Sequence, residues 1–172
     1  TELVAGVDQK DNKLVVFNQN ATDWNDSSSV VWQWEPTSSL GFTGIHYYTN
    51  ASDAKLRYSD FYGGYVALTT SSGGFVGLID YETGERLYSR DITPENSSHA
   101  IELLPDGNLA VASSTGNTVT IYAASQGDGN GYYQQYTLAD AHGLLWDPDL
   151  QVLWALGGHQ LVAFKIGGTV EE

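Results

Sequence analysis

Two histidines stand at matching places in two similar stretches of the chain. His99 opens HAIELLPDG and His142 opens HGLLWDPDL, 43 residues later, and both stretches turn apolar before closing on Pro-Asp. Imidazole changes charge between pH 5 and 8, so it can act as a general base or, when protonated, bind an anion. A histidine repeated at a fixed period therefore predicts a site to which neighbouring repeats each contribute one ring.

The elements that must position these rings are short β-strands. Runs rich in Val, Leu, Ile, Tyr and Trp alternate with Gly, Asp, Asn and Ser turns, and helix signals are nearly absent. Each unit holds four antiparallel strands, A to D, in about 40–45 residues, which is the period of β-propeller blades. We predict an all-β propeller with about four four-stranded blades, at approximately residues 1–36, 54–93, 98–139 and 141–168.

The first and last blades are predicted to be incomplete. ELVAGVD, KLVVFNQ and VVWQWEP match strands B, C and D without a strand A before them, and the last unit ends after strand C. An unpaired strand edge is an aggregation hazard. We therefore expect half of a six- to eight-bladed ring, completed by a second chain or a C-terminal half.

Strand A of a blade lines the central channel, so the two histidines are expected on adjacent blades at one rim of that channel. The matching stretch of the second blade, AKLRY, puts Lys55 or Arg57 near this level, and the turn GGHQ adds His159. Ligands commonly bind where loops from several blades converge. Clustered cations repel each other unless an anion balances them, which predicts an anionic ligand.

Two alternatives to ligand binding stay open at this rim. The histidines would fasten the blades together if they donated hydrogen bonds to the backbone of the neighbouring blade. Alternatively, nearby carboxylates would neutralise the basic groups, and the candidates are Asp8, Asp53 and Asp140.

A long connection, residues 36–54, is expected on the same face as the histidines. It carries Phe42, His46, Tyr47 and Tyr48. Exposed aromatic rings above a pocket suit a sugar, whose apolar face stacks on π systems. His46 and Tyr47 therefore join the candidate ligand-binding residues, although the loop could instead be packed by its own aromatics.

Composition excludes several classes of partner and cofactor. The net charge of −14 argues against nucleic acid and anionic membranes, because both need a basic face. The absence of Cys removes thiol chemistry and thiolate metal sites. GDGNG at 127–131 lacks the bidentate acid of a calcium loop, so we expect neither a metal nor a cofactor.

Four N-x-S/T sequons indicate a secreted glycoprotein, because glycans are attached to exposed loops of extracellular proteins. The chain begins at Thr1 without Met or a signal-like stretch, as a processed N-terminus would. The predicted acceptors are Asn20, Asn25, Asn50 and Asn96.

The stretches LLPDGNLAVASSTGN and DAHGLLWDPDLQVLWALGG resemble a secreted β-propeller family of unassigned function, within the WD40-like and quinoprotein-like propeller group. This resemblance covers essentially all 172 residues and implies a propeller whose members are about twice as long. The architecture is also similar to that of propeller polysaccharide lyases, which use His and Tyr as base and acid and an Arg to neutralise the uronate.

Two functions follow as expectations. The first is a secreted propeller with a structural role or with a glycan- or small-anion-binding site at the channel mouth. The second is a lyase acting on uronate-containing polysaccharides, in which β-elimination needs a base, a cation on the carboxylate and an acid for the leaving oxygen. The candidates for these roles are His99 or His142 as base, Lys55 or Arg57 as cation, and Tyr47 or Tyr58 as acid.

Overall fold

The computed structural model describes residues 2–43 and 45–169. They form four antiparallel sheets, with three strands in the first and last sheets and four in the two between. Within this part of the chain the helical segments are five short 3₁₀ turns. None of its helices is long and apolar enough to cross a membrane. The all-β propeller architecture, with incomplete first and last blades, is therefore confirmed.

Each sheet is a meander whose strands pair in chain order. The first sheet contains β1 (Leu3–Asp8), β2 (Lys13–Asn18) and β3 (Val30–Trp34). The second contains β4 (Ala51–Ser59), β5 (Gly64–Ser71), β6 (Phe75–Asp80) and β7 (Arg86–Asp91). The third contains β8 (Ser98–Leu103), β9 (Leu109–Ser113), β10 (Thr118–Tyr122) and β11 (Tyr133–Thr137). The fourth contains β12 (Gly143–Asp147), β13 (Val152–Leu156) and β14 (Leu161–Phe164).

The hydrophobic core lies in three layers between neighbouring sheets. Successive side chains of a strand point to opposite faces, so one strand contributes to two layers. In β8, for example, Ile101 packs towards the second sheet and Ala100 towards the fourth. The layer between the first two sheets is aromatic and centres on Trp34, Phe42 and Phe75.

The role predicted for the strands of the first blade is wrong. β1 packs against β4 in the same way that β4 packs against β8 and β8 against β12. β1 is therefore the innermost strand A, and the strand missing from both three-stranded sheets is the outermost one. The half-ring interpretation itself stays a prediction.

Turn chemistry is consistent with this arrangement. The Asp8 carboxylate accepts from the backbone N–H of Lys10 and Asp11 between β1 and β2. Asp80 forms the same kind of turn after β6, where a blade's third strand ends, and Asp147 forms it after β12, where a first strand ends. The Asp8 turn therefore fits an A–B hairpin better than the predicted B–C hairpin.

Candidate functional site

His99 and His142 lie side by side on adjacent blades. Their ring centroids are 4.5 Å apart and their planes are inclined by 60°. Each Nδ1 lies against the carbonyl oxygen two residues earlier, at 2.8 Å from Ser97 O and 2.9 Å from Asp140 O. Because a carbonyl oxygen only accepts, both Nδ1 atoms carry a hydrogen. Within residues 2–43 and 45–169 the hydrogen bonds of both rings involve Nδ1, so each Nε2 remains without a protein partner.

A repeated backbone motif sets this geometry. Ser97 and Asp140 adopt left-handed conformations, with φ of 50° and 53°, and each precedes a small, fully buried residue. The same motif starts the second blade, where Asn50 has φ of 51° and Ser52 donates its hydroxyl to Asn50 O at 3.0 Å. Ser52 is therefore the second blade's equivalent of the two histidines.

The connection before each of these strands is fastened to the B–C turn of its own blade. The backbone N–H of Ser72 donates to Asn50 O, and that of Ser114 donates to Ser97 O, both at 3.0 Å. The Ser114 hydroxyl also lies 3.2 Å from His99 Nδ1. The expectation that the histidines donate to a neighbouring blade's backbone is therefore not met, because each bonds to its own loop.

The His142 ring has a carboxylate beside it. Asp140 Oδ1 lies 3.1 Å from His142 Nδ1, and both side chains are well exposed. Asp140 was one of the three acids expected to neutralise the basic groups. Its negative charge offsets part of that ring's attraction for an anion.

The Lys55 ammonium group binds the third blade and is not available to a ligand at the rim. Its Nζ forms an ion pair with Asp53 and donates to Ile101 O at 2.7 Å. The Asp53 carboxylate also accepts from Ile101 N at 3.0 Å. Asp53 thus neutralises Lys55, and both groups tie β4 to β8.

Arg57 forms a bidentate ion pair with Glu102, with both N–O distances at 2.9 Å. Glu102 is fully buried and also accepts from the backbone N–H of Leu103 and Trp146. This carboxylate therefore links the innermost strands of three blades. Glu102 was not among the residues predicted from the sequence, although an acid inside the apolar run AIELLP was a usable signal.

The prediction that Lys55 and Arg57 join the histidines in a ring of cations is wrong, because both are paired with carboxylates. Lys55 and Arg57 lie three and five residues further along β4 than Ser52, which occupies the histidine-equivalent place. The sequence comparison matched residues of like charge. The structurally equivalent positions of the blades instead share a left-handed residue followed by a small buried residue.

Aromatic residues of the connection 36–54 anchor it in the core between the first two sheets. Phe42 and Tyr48 are buried, and the Tyr48 hydroxyl lies 2.9 Å from Thr69 Oγ1. Burial raises the pKa of Tyr48 to about 12. Tyr47 is half-buried, and exposed His46 lies against it with ring centroids 4.0 Å apart. The open aromatic platform expected for a sugar is therefore absent from the described part of this loop.

His159 lies exposed in the turn between β13 and β14. Its neighbour Gly158 abuts the loop that carries Asp140, since Gly158 N donates to Ala139 O at 2.9 Å. This turn therefore borders the histidine pair, and a role for His159 in ligand binding stays a prediction.

The four sequons differ in accessibility. Asn20, Asn25 and Asn50 are exposed. Asn96 is half-buried, and its Nδ2 donates to Thr93 Oγ1 at 3.1 Å. Its amide is thus the least available of the four for glycan attachment.

The GDGNG loop serves as a contact between blades. Asp128 pairs with Arg86 at 2.8 Å and accepts from Ser89 N at 3.1 Å, which joins this loop to β7. Among the described residues no group of three His, Asp or Glu side chains is arranged to hold a metal ion.

Comparison with known protein families places this chain. Residues 7–167 match the model of a family of unknown function, DUF6528. The chain belongs to this family. No functionally curated protein is similar enough to count as a match.

Solved structures similar to this family member have low sequence identity to it. The WD40 β-propeller domain of Doa1 is 20% identical with a TM-score of 0.56, over 94% of this chain and 49% of that domain. A catalytically inactive histidine-to-alanine variant of virginiamycin B lyase from Staphylococcus aureus, with quinupristin, is 14% identical with a TM-score of 0.51, over 94% of this chain and 54% of the lyase. The computationally designed Ika4 protein is 11% identical with a TM-score of 0.57, over 97% of this chain and 87% of that protein. The chain thus spans about half the length of the two natural proteins, and the likeness concerns the fold.

Proposed function

We propose that this protein is a secreted propeller that binds an anionic sugar unit, or a small anion, at the pair formed by His99 and His142. The observation that carries the proposal is the side-by-side arrangement of the two rings, 4.5 Å apart. Both Nδ1 hydrogens are committed to the backbone, so both Nε2 atoms remain for a ligand.

The chemistry of the pair favours an anion over a neutral group. Two protonated imidazoles this close repel each other, and a carboxylate or sulfate bound at their Nε2 atoms offsets that repulsion. Binding is therefore coupled to proton uptake, so affinity rises as the pH falls from about 8 to about 6. Added salt weakens it, because the rings are near the surface and their charge is screened.

The secretion part of the proposal is supported by the sequons. Three of the four acceptor side chains are exposed, as glycan attachment requires. Asn50 lies two residues before Ser52, on the same motif that carries the histidines in the next blades. A polysaccharide ligand would therefore approach a face that itself carries a glycan.

The proposal is tested by calorimetric titration with a short oligogalacturonate at about pH 6 and about pH 8. We expect binding that is tighter at the lower pH, and loss of most of that affinity in His99→Ala/His142→Ala. His46→Ala is the matched control, because His46 lies against Tyr47 and has no described contact with the pair. Retained affinity in the double variant, or loss in the control, would place the site elsewhere.

A lyase acting on uronate-containing polysaccharides is the second candidate. The contact between Asp140 Oδ1 and His142 Nδ1, at 3.1 Å, orients the neutral imidazole so that its Nε2 can act as a general base. One similar fold is a lyase whose histidine variant is inactive, although that is a property of the other protein. Against this candidate, Lys55 and Arg57 already have carboxylate partners and Tyr58 lies at the far end of β4. Ultraviolet absorbance of an unsaturated product, lost in His142→Ala, would favour the lyase over simple binding.

A further inference from the structure

The last sheet of the array has one uncovered apolar face. Leu144 and Leu153 point towards the third sheet and are buried. Leu145, Leu156 and Leu161 point the other way and are 54%, 50% and 64% exposed. Leu156 and Leu161 are directly paired across the sheet, so these side chains form a continuous surface. Contiguous exposed leucines of this kind mark an interaction surface.

The first sheet presents a second apolar face at the opposite end of the array. Leu14 and Val16 pack against the second sheet, while Val4 and Val31 point outward and are 37% and 54% exposed. A hollow of about 460 Å³ lies on this side, lined by the apolar Val15 and Phe17 and by polar residues that include Asp8, Lys13 and Gln33. Within the described residues the first and last sheets share no packed interface, so the array is open at both ends.

We infer that a second copy of this chain packs head to tail with the first, so that two copies close an eight-bladed ring. The fourth sheet of each copy would pack on the first sheet of the partner. This contact would repeat the sheet-on-sheet packing of the three interfaces inside the chain. In each of those interfaces one face of a sheet packs against the opposite face of the next sheet along the chain. Two copies cover both open ends at once, and eight blades lie within the range of closed propellers. The two natural propeller structures similar to this chain are also about twice its length.

Charge gives the assembly a distinguishing salt dependence. Each chain carries a net charge of −14, so two copies repel each other. The exposed leucine side chains of the fourth sheet carry no charge, so salt screens the net repulsion without weakening the burial of these leucines. Association should therefore strengthen with salt, whereas anion binding at the histidine pair should weaken. The inference thus does not depend on the proposed function.

The test is the mass of the 172-residue chain in solution, by size exclusion with light scattering over a dilution series. We expect about twice 18.7 kDa. Leu161→Asp and Val31→Asp should each weaken association by about 100-fold, because each buries an unpaired carboxylate. Tyr65→Asp is the matched control, since Tyr65 is 61% exposed on the second blade, away from both faces.

The outcomes separate the alternatives. A monodisperse 18.7 kDa monomer overturns the inference, and so does a wild-type ladder of larger species, which indicates open filaments. Dimers abolished by Leu161→Asp but unaffected by Val31→Asp would mean that two fourth sheets face each other, and the head-to-tail ring would be wrong. A folded circular dichroism spectrum for each variant shows that lost association is not lost folding.

Discussion

Removing the Arg57 guanidinium tests whether one buried carboxylate holds three blades together. Arg57→Met keeps the length of the side chain and deletes both hydrogen bonds to Glu102, which is fully buried. The carboxylate would then keep only the backbone donors of Leu103 and Trp146, at 2.9 Å and 3.2 Å. Breaking a buried ion pair from one side costs about 3–5 kcal/mol, and these two remaining donors place the expected cost at the lower end, about 3 kcal/mol.

That loss is large compared with the total stability of a domain, which is about 5–15 kcal/mol. The assay is urea unfolding followed by circular dichroism at one protein concentration, with the slope of the transition checked for constancy. The double variant Arg57→Met/Glu102→Leu should recover part of the loss, because the unpaired charge is gone. It should not recover all of it, because Leu103 N and Trp146 N still lack an acceptor.

Lys10→Met is the matched control, since this exposed lysine also loses its charge but has no ion pair in the described chain. Its effect should stay within about 0.5 kcal/mol. A cost of less than about 1 kcal/mol for Arg57→Met would refute the reasoning, because Glu102 would then be solvated or satisfied without its partner.

Further predictions concern alkaline stability and glycan attachment. Burial raises the pKa of Tyr48 and of Tyr122 to about 12. Their contribution to stability is therefore complete below the usual tyrosine pKa of about 10 and is lost as the pH rises through about 12, which unfolding free energies between pH 9 and 12 would show. In Tyr48→Phe this alkaline loss should be smaller by about 2 kcal/mol, and an unchanged profile would exclude Tyr48 as a source. Glycopeptide mapping of protein from a eukaryotic secretion host should show glycans at Asn20, Asn25 and Asn50 but low occupancy at Asn96, whose amide donates to Thr93, and full occupancy of Asn96 would contradict this expectation.

The general fold could be predicted because its signals are local. Period-two alternation and Asp-Gly or Thr-Gly turns mark each strand and hairpin within a few residues, and the 43-residue repeat then gives the blade. The place of β1 was predicted wrongly. Whether β1 is an inner or a second strand depends on its packing against β4, and the only local signal for the inner place was the Asp8 turn, which matches the Asp147 turn after β12.

The candidate site likewise combines features that local sequence signals predict with features that depend on contacts between distant residues. The histidine pair was predictable, because a repeated residue in a repeated unit occupies equivalent positions on adjacent blades. The partners of Lys55 and Arg57 were harder to predict, because Ile101 and Glu102 lie about 45 positions away along the chain. Burial of Phe42 likewise depends on Trp34 and Phe75, which come from other strands.

Histidine-selective NMR shows whether His99 and His142 together bind an anionic ligand. The chain has four histidines, so single variants assign every imidazole signal. On titration with oligogalacturonate at about pH 6, we expect saturable shifts of the Nε2 and Cε1–H signals of both His99 and His142, with one common affinity. The chemical shifts of His46 should not change. Unchanged signals from the pair at saturating ligand, or movement confined to His46, would contradict the proposal.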